Sequence, residues 1–278
     1  FDQLVTKPFT LKATYKVREA GDLHEYYQGR GLDNTVGDEF RANLKKRLDE
    51  GTKVKGYGGN LNSYLIDADK HPTKAGNVYT IYDGEAMSNN AAGSGGPNEW
   101  NKEHVMPQSW YTGSVGNKGD LHNLRISRAS INSTRSSLKF AAGSGQWNKV
   151  SGGFYPGDDH KGDSARIAMY MMVRFPSVIT PTKAFAGKDV INLMLKWHFE
   201  DPVDAFEERR NDVLYGAQNN RNPFIDHPEF AELIWGAYNA NLTTIARLKT
   251  MANTTGLLID LLATNEVVLP VREVNYNF

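Results

Sequence analysis

The sequence predicts an α+β fold, a domain mixing helices with short strands, and three observations predict it. Two strand-like stretches, residues 100–107 and 120–126, are followed at once by a helix-like stretch, residues 127–138. Segments on either side carry the apolar period of amphipathic helices. No internal repeat and no long low-complexity linker interrupts the chain. The 278 residues suffice for a well-buried core. The reading is one main domain over residues 25–242, with extensions at 1–24 and 243–278.

In chain order, residues 1–20 alternate loosely and read as extended. Residues 37–50 read as a helix, with Phe40, Leu44 and Leu48 four apart and charges between them. A short strand is expected over 78–82, and the Gly, Asn and Ser of 83–99 read as a loop. Pro107 stops the first strand of the central pair. On the helix after the second strand, Arg128, Asn132, Arg135 and Lys139 share one face, and Ile131, Thr134 and Leu138 share another. Residues 163–175 form a buried helix through Ala165, Ile167, Ala168, Met171 and Met172, closed by Pro176. Further helices are expected over 186–198, from Pro202 onward with an acidic first turn, and over 229–242. Residues 243–264 read as helical and 266–272 as a strand.

Composition removes several classes. The chain has no cysteine, which excludes disulfides, thiolate catalysis and zinc sites built on sulfur. No run of 18 apolar residues appears, so a membrane-spanning helix is not expected. The chain starts at Phe1 with no leader pattern, as expected of a processed, secreted or periplasmic protein. Formal net charge is zero, yet residues 101–150 hold seven lysines and arginines against Glu103 and Asp120. A basic stripe on a neutral chain points to a local polyanion site. No protein partner is evident.

Those residue types suit phosphodiester cleavage. His104 titrates near neutral pH and can take a proton from water. Glu103 and Asn132 offer hard oxygen ligands for Mg²⁺, with Mn²⁺ or Ca²⁺ as substitutes. Lys118, Arg128, Lys139 and Arg166 are candidate phosphate contacts. Asp120, His122 and Asn123 are read as hydrogen-bonded support behind them. Trp110 and Tyr111 read as core rather than as base-stacking rings. The run from Arg221 to His227 reads as a structural turn, and 200–212 as a solvated acidic face. Neighbouring strand residues point to opposite faces. Glu103 and His104 therefore meet at one phosphate only if the strand is twisted or bulged, or if the metal lies at its edge.

Several runs carry a family resemblance: Trp100-Asn101-Lys102-Glu103-His104-Val105, Gly119-Asp120-Leu121-His122-Asn123-Leu124-Arg125, Ile131-Asn132-Ser133-Thr134-Arg135 and Lys161-Gly162-Asp163-Ser164-Ala165-Arg166. Two more follow, from Trp197 to Val203 and from Gln218 to Glu229. Together they resemble the endonuclease I family of non-specific nucleases, within the His-Me finger (ββα-metal) superfamily. The resemblance implies a divalent-metal enzyme that cuts DNA, and often RNA, to 5′-phosphorylated products. It casts His104 as general base and Glu103 and Asn132 as metal ligands, largely through water. It also implies export.

Two departures matter. Some relatives carry disulfides, which this chain lacks. Some place a transition-state arginine in a long loop between the finger strands; here residues 109–119 hold only Lys118. The role is left among Lys118, Arg135 and Arg166, with Arg135 favoured as one turn from Asn132. The competing readings are a catalytically silent nucleic-acid-binding protein on the same fold, and an enzyme acting on a nucleotide or lipid phosphodiester.

Overall fold

The computed structural model describes residues 23–236, except 33–34, 59–60, 94, 97 and 112–115. The expected elements at 1–20, 243–264 and 266–272 lie outside that range. Within it the fold is α+β. The helices are α1 (Gly37–Asp49), α2 (Leu61–Ala68), α3 (Ala129–Arg135), α4 (Lys161–Arg174), α5 (Pro181–Ala184), α6 (Val190–Glu200), α7 (Ala205–Gln218), α8 (Pro223–Asp226) and α9 (Phe230–Trp235). Three antiparallel pairs complete it: β1 (Asn77–Tyr79) with β2 (Ala86–Ser88), β3 (Trp100–His104) with β4 (Leu124–Arg128), and β5 (Asn148–Val150) with β6 (Gly153–Tyr155). Among the described residues no helix is long and apolar enough to cross a membrane.

The organising element is α4. Every residue of it after Lys161 is buried, so it is a core helix rather than an amphipathic one. It packs on α1 through Phe40, Leu44 and Leu48, and on α6 through Met194 and Trp197. The β3–β4 pair lies beside a second cluster, where Trp100, Leu124 and Ile126 meet Leu61 and Leu65 of α2 and Leu214 of α7. α3 packs against both strands of the pair.

Buried charges tie these layers. Asp69 receives Arg210 Nε at 2.6 Å, Arg125 Nε at 3.3 Å and the Ile126 amide at 2.6 Å. Asp163 pairs with Arg125 and Arg166, and Arg166 forks onto Glu207. Glu207 is therefore buried, which corrects the reading of 200–212 as a wholly solvated face. The Arg221 segment is structural, with Arg221 paired to Asp212 and Asp226, and His227 Nε2 accepting the His24 amide.

Several elements differ from expectation. Residues 120–123 are a tight turn, not a strand, because the Asp120 side chain accepts the His122 amide and Asn123 bonds Met106. β4 starts only at Leu124. The helix expected to Leu138 stops at Arg135, where Ser136 turns to φ 51°. Lys139 is thus off the helix, its Nζ bonded to the Thr182 carbonyl. Within 83–99 lies β2, and α2, α5, α8, β5 and β6 were not anticipated.

Candidate active site

β3 pairs with β4 residue for residue, from Trp100 opposite Arg128 to His104 opposite Leu124. No bulge interrupts it, so side chains alternate strictly. Asn101 and Glu103 face α3, whereas Lys102 and His104 face the α2 side. Lys102 Nζ donates to Asn62 Oδ1 at 3.0 Å, and the His104 ring lies 4.9 Å from that of Tyr57. The irregular strand that would bring Glu103 and His104 together is absent.

What joins the two faces is the outer edge of β3. Trp100 bonds residues 91 and 93 through its amide and carbonyl, so those groups point away from β4. Two residues on, the Lys102 carbonyl points the same way. There it accepts Asn132 Nδ2 at 3.2 Å, and the same amide nitrogen donates to Asn101 Oδ1 at 2.7 Å. With Nδ2 occupied on two sides, Asn132 Oδ1 is left without a partner among the described residues. Asn132 therefore stands at the outer edge of β3, bonded to the Asn101 side chain and to the Lys102 backbone. A cavity of about 260 Å³ lies along this edge, lined by Asn62, Ala92, Gly93, Trp100, Asn101 and Lys102.

Glu103 is buried at 2% exposure. Its Oε1 accepts the Tyr82 hydroxyl at 2.8 Å and lies 3.3 Å from Arg135 Nε. Oε2 has no partner among the described residues. Burial pushes the carboxyl up to about 7, against the lowering pull of Arg135 and the Tyr82 hydroxyl. Its negative charge is thus incompletely compensated, as expected where a cation completes the site. Tyr82 reaches Glu103 from a backbone at φ 83°, a conformation that costs a non-glycine residue roughly 1–3 kcal/mol.

His104 Nε2 lies 2.9 Å from the Lys118 carbonyl oxygen. A carbonyl only accepts, so Nε2 carries the proton and Nδ1 the lone pair. Burial lowers the imidazole to about 4; the Lys118 carbonyl opposes this, and the charges of Lys118, Lys102 and Arg135 add to it. The ring is neutral at neutral pH, the form a proton acceptor needs.

The remaining candidates fall into two groups. Arg135 is fully buried, its guanidinium bonding the carbonyls of Val105 and Ser136 and pairing with Glu103. Arg166 is equally buried on Glu207. Neither presents a charge to solvent, and the expected shared basic face of Arg128, Asn132, Arg135 and Lys139 does not form. Arg128 precedes α3 and pairs with Asp83 at 2.9 Å. Lys118 is exposed beside His104. Asn123 joins Met106 to Tyr111, His122 donates to the Asn220 carbonyl, and Asp120 gathers Tyr170, Arg174 and Gln218, all buried. Tyr111 is core, as read. The partners Tyr57, Asn62, Tyr82 and Asn101 were missed; only Asn101, inside the Glu-His run, carried a local signal.

Among the described residues no three His, Cys, Asp or Glu side chains gather as a metal cage. A divalent ion here would be held by the Glu103 carboxylate and the Asn132 amide oxygen, with water filling its shell. That sparse, hard-oxygen donor set suits Mg²⁺ rather than a soft metal.

The endonuclease I family model matches residues 36–229 of this chain. The chain is 35% identical over 235 residues to the extracellular ribonuclease of Bacillus subtilis (strain 168), covering 77% of this chain and 79% of that protein. It is 32% identical over 251 residues to the extracellular ribonuclease of Bacillus amyloliquefaciens, covering 83% and 84%. The β3 run holding Glu103 and His104, the Lys118 carbonyl and Asn132 all fall inside the matched region, and the chain belongs to the endonuclease I family.

Proposed function

We propose that this chain is a divalent-metal-dependent endonuclease with His104 as general base, acting outside the cell on RNA and DNA without a sequence-reading module. Family membership supports nucleic-acid hydrolysis. The names of the two relatives support RNA as a substrate beside DNA, and export. The observation that carries the mechanism is the His104 ring, its Nε2 on the Lys118 carbonyl and its Nδ1 left to take a proton, on the same strand as Glu103, with Asn132 at that strand's outer edge.

In this reading Nδ1 of His104 takes a proton from water as the water oxygen bonds to phosphorus. The bond from phosphorus to the 3′ oxygen breaks, leaving a 5′-phosphate and, after protonation from solvent, a 3′-hydroxyl. When bound, the metal supplies positive charge to the leaving oxygen. Glu103 and Asn132 would hold it. Lys102 and Lys118, the accessible cations beside His104, take over the phosphate contacts once assigned to Arg135 and Arg166. Tyr82 and Arg135 orient Glu103.

Cleavage of plasmid DNA and of a folded RNA, with Mg²⁺ and with EDTA, tests this. Parent protein cuts only with metal, and His104→Ala loses roughly 10²–10⁴-fold in rate. A variant that cuts as fast as the parent would remove His104 from the mechanism. Gel retardation without cleavage under every divalent metal would favour the silent binding protein.

A further inference from the structure

A second cavity, of about 560 Å³, lies between the turn at 82–85, the start of α3 and the loops around 145–147 and 157–160. Tyr82, Ile131, Trp147 and His160 line it, and Glu85 and Asp159 stand exposed at its rim. The His160 ring is 3% exposed, and its Nδ1 has no hydrogen-bond partner among the described residues. Two of the four lining carboxylates are already engaged. Asp83 takes Thr80 and Arg128, and Asp158 takes Tyr155 and the Gly145 amide. Glu85 and Asp159 make no side-chain hydrogen bond or ion pair among the described residues.

The cavity adjoins the candidate active site. Tyr82 lends it a ring surface while its hydroxyl holds Glu103. Ser130 and Ile131 line it, and Asn132, the next residue, reaches the β3 edge. Tyr82 and the start of α3 thus link the cavity to the residues that hold Glu103 and reach the β3 edge.

Its chemistry selects the occupant. Carboxylates only accept hydrogen bonds. Arg128 also lines the cavity but is paired with Asp83, so the unengaged carboxylates disfavour a phosphate, and no three ligating side chains gather here to chelate a metal. A base edge of paired donors fits. Guanine presents N1–H and an N2 amino hydrogen side by side, matching the two oxygens of one carboxylate. Uracil and thymine flank their single donor with oxygens, and adenine and cytosine set one amino group beside an acceptor. Trp147 is half-buried and nearly parallel to Phe154, at 26° and 6.1 Å, a backed ring on which a base can stack.

We propose that this cavity is a base subsite for a guanine of the substrate strand beside the cut, with Glu85 or Asp159 accepting its Watson–Crick edge and Trp147 stacking on its face. The inference rests on the nuclease reading above. The test sequences the ends produced from random RNA and DNA at low conversion. In the parent, guanine occupies one fixed position in at least about half of the ends, roughly twice its share of the input pool. In the double variant E85Q/D159N, surface changes that leave the fold intact, the enrichment falls to the input level while total cleavage stays within about twofold, because the phosphate contacts are untouched. Trp147→Ala lowers the enrichment and Trp147→Phe keeps it. No guanine enrichment in the parent, or unchanged enrichment in the double variant, overturns the subsite. A parent that cuts nothing overturns the nuclease reading instead. NMR titration with guanosine against uridine then still decides the subsite, since only guanosine should shift the Trp147 indole, and only with Glu85 and Asp159 intact.

Discussion

His104 depends on a residue that offers it no side chain. Its Nε2 is held by the Lys118 carbonyl, and that carbonyl sits where it does because Gly119 lies against the Lys55 backbone. A Cβ at position 119 would stand 1.7 Å from the Lys55 oxygen, so only glycine permits the approach. Gly119→Ala is therefore expected to displace the carbonyl, cost about 1–3 kcal/mol of stability and lower kcat at least about tenfold with little change in KM. Thermal melting and steady-state kinetics check both; a destabilised enzyme with full kcat would show that the carbonyl does not set the base. At this scale the sequence was legible where chemistry is local. Glu103, His104, Asn132 and Lys118 could be named from their runs. Tyr57, Asn62 and Tyr82 could not, because only tertiary contacts bring them to the strand. Arg135 and Arg166 were read as candidates to stabilise or contact phosphate, since nothing in their spacing shows that both are buried on carboxylates.

Among the elements, α3 is the one whose length matters. It was expected to run to Leu138, which would have set Lys139 on a basic face with Asn132. It ends three residues earlier, at Arg135, and is capped by Ser136, whose φ of 51° and ψ of −129° suit glycine and strain serine. Ser136→Gly relieves that strain, less the extra chain entropy of glycine, a net stabilisation of about 1 kcal/mol. The melting midpoint should rise by about 2–4 °C at unchanged cleavage rate. A fall would mean that the turn is held by serine contacts instead. Long elements were readable, α1 because its burial repeats turn by turn and α4 because apolar residues recur throughout it. β2, β5 and β6, three residues each, were not, because so short a strand carries no period and is defined by its partner.

For the whole molecule, buried imidazoles make stability depend on pH, His122 and His198 alongside His104. His122 donates to the Asn220 carbonyl and His198 to the Pro228 carbonyl. Burial, the largest influence on each, lowers both from 6.5 to about 4. The unfolded chain thus takes up these protons first as pH falls. The contribution is fully present above about 6.5 and is lost on the way down to about 4, on the order of 3 kcal/mol per histidine. Urea midpoints at pH 7 and pH 4.5 should show the loss, and His122→Gln, which keeps a donor for Asn220, should flatten it. An equal slope in that variant would place the acid sensitivity elsewhere. The β3 edge has a consequence of its own at this scale. Beyond Trp100 the strand presents backbone groups that another chain could zip onto, and Asn132 occupies the Lys102 carbonyl while Lys102 adds a charge nearby. A residue proposed to hold a metal would thus also keep molecules from sticking to one another. Asn132→Ala should leave a protein that is both inert and prone to self-association, visible as rising light scattering with concentration, whereas His104→Ala should be inert and clear.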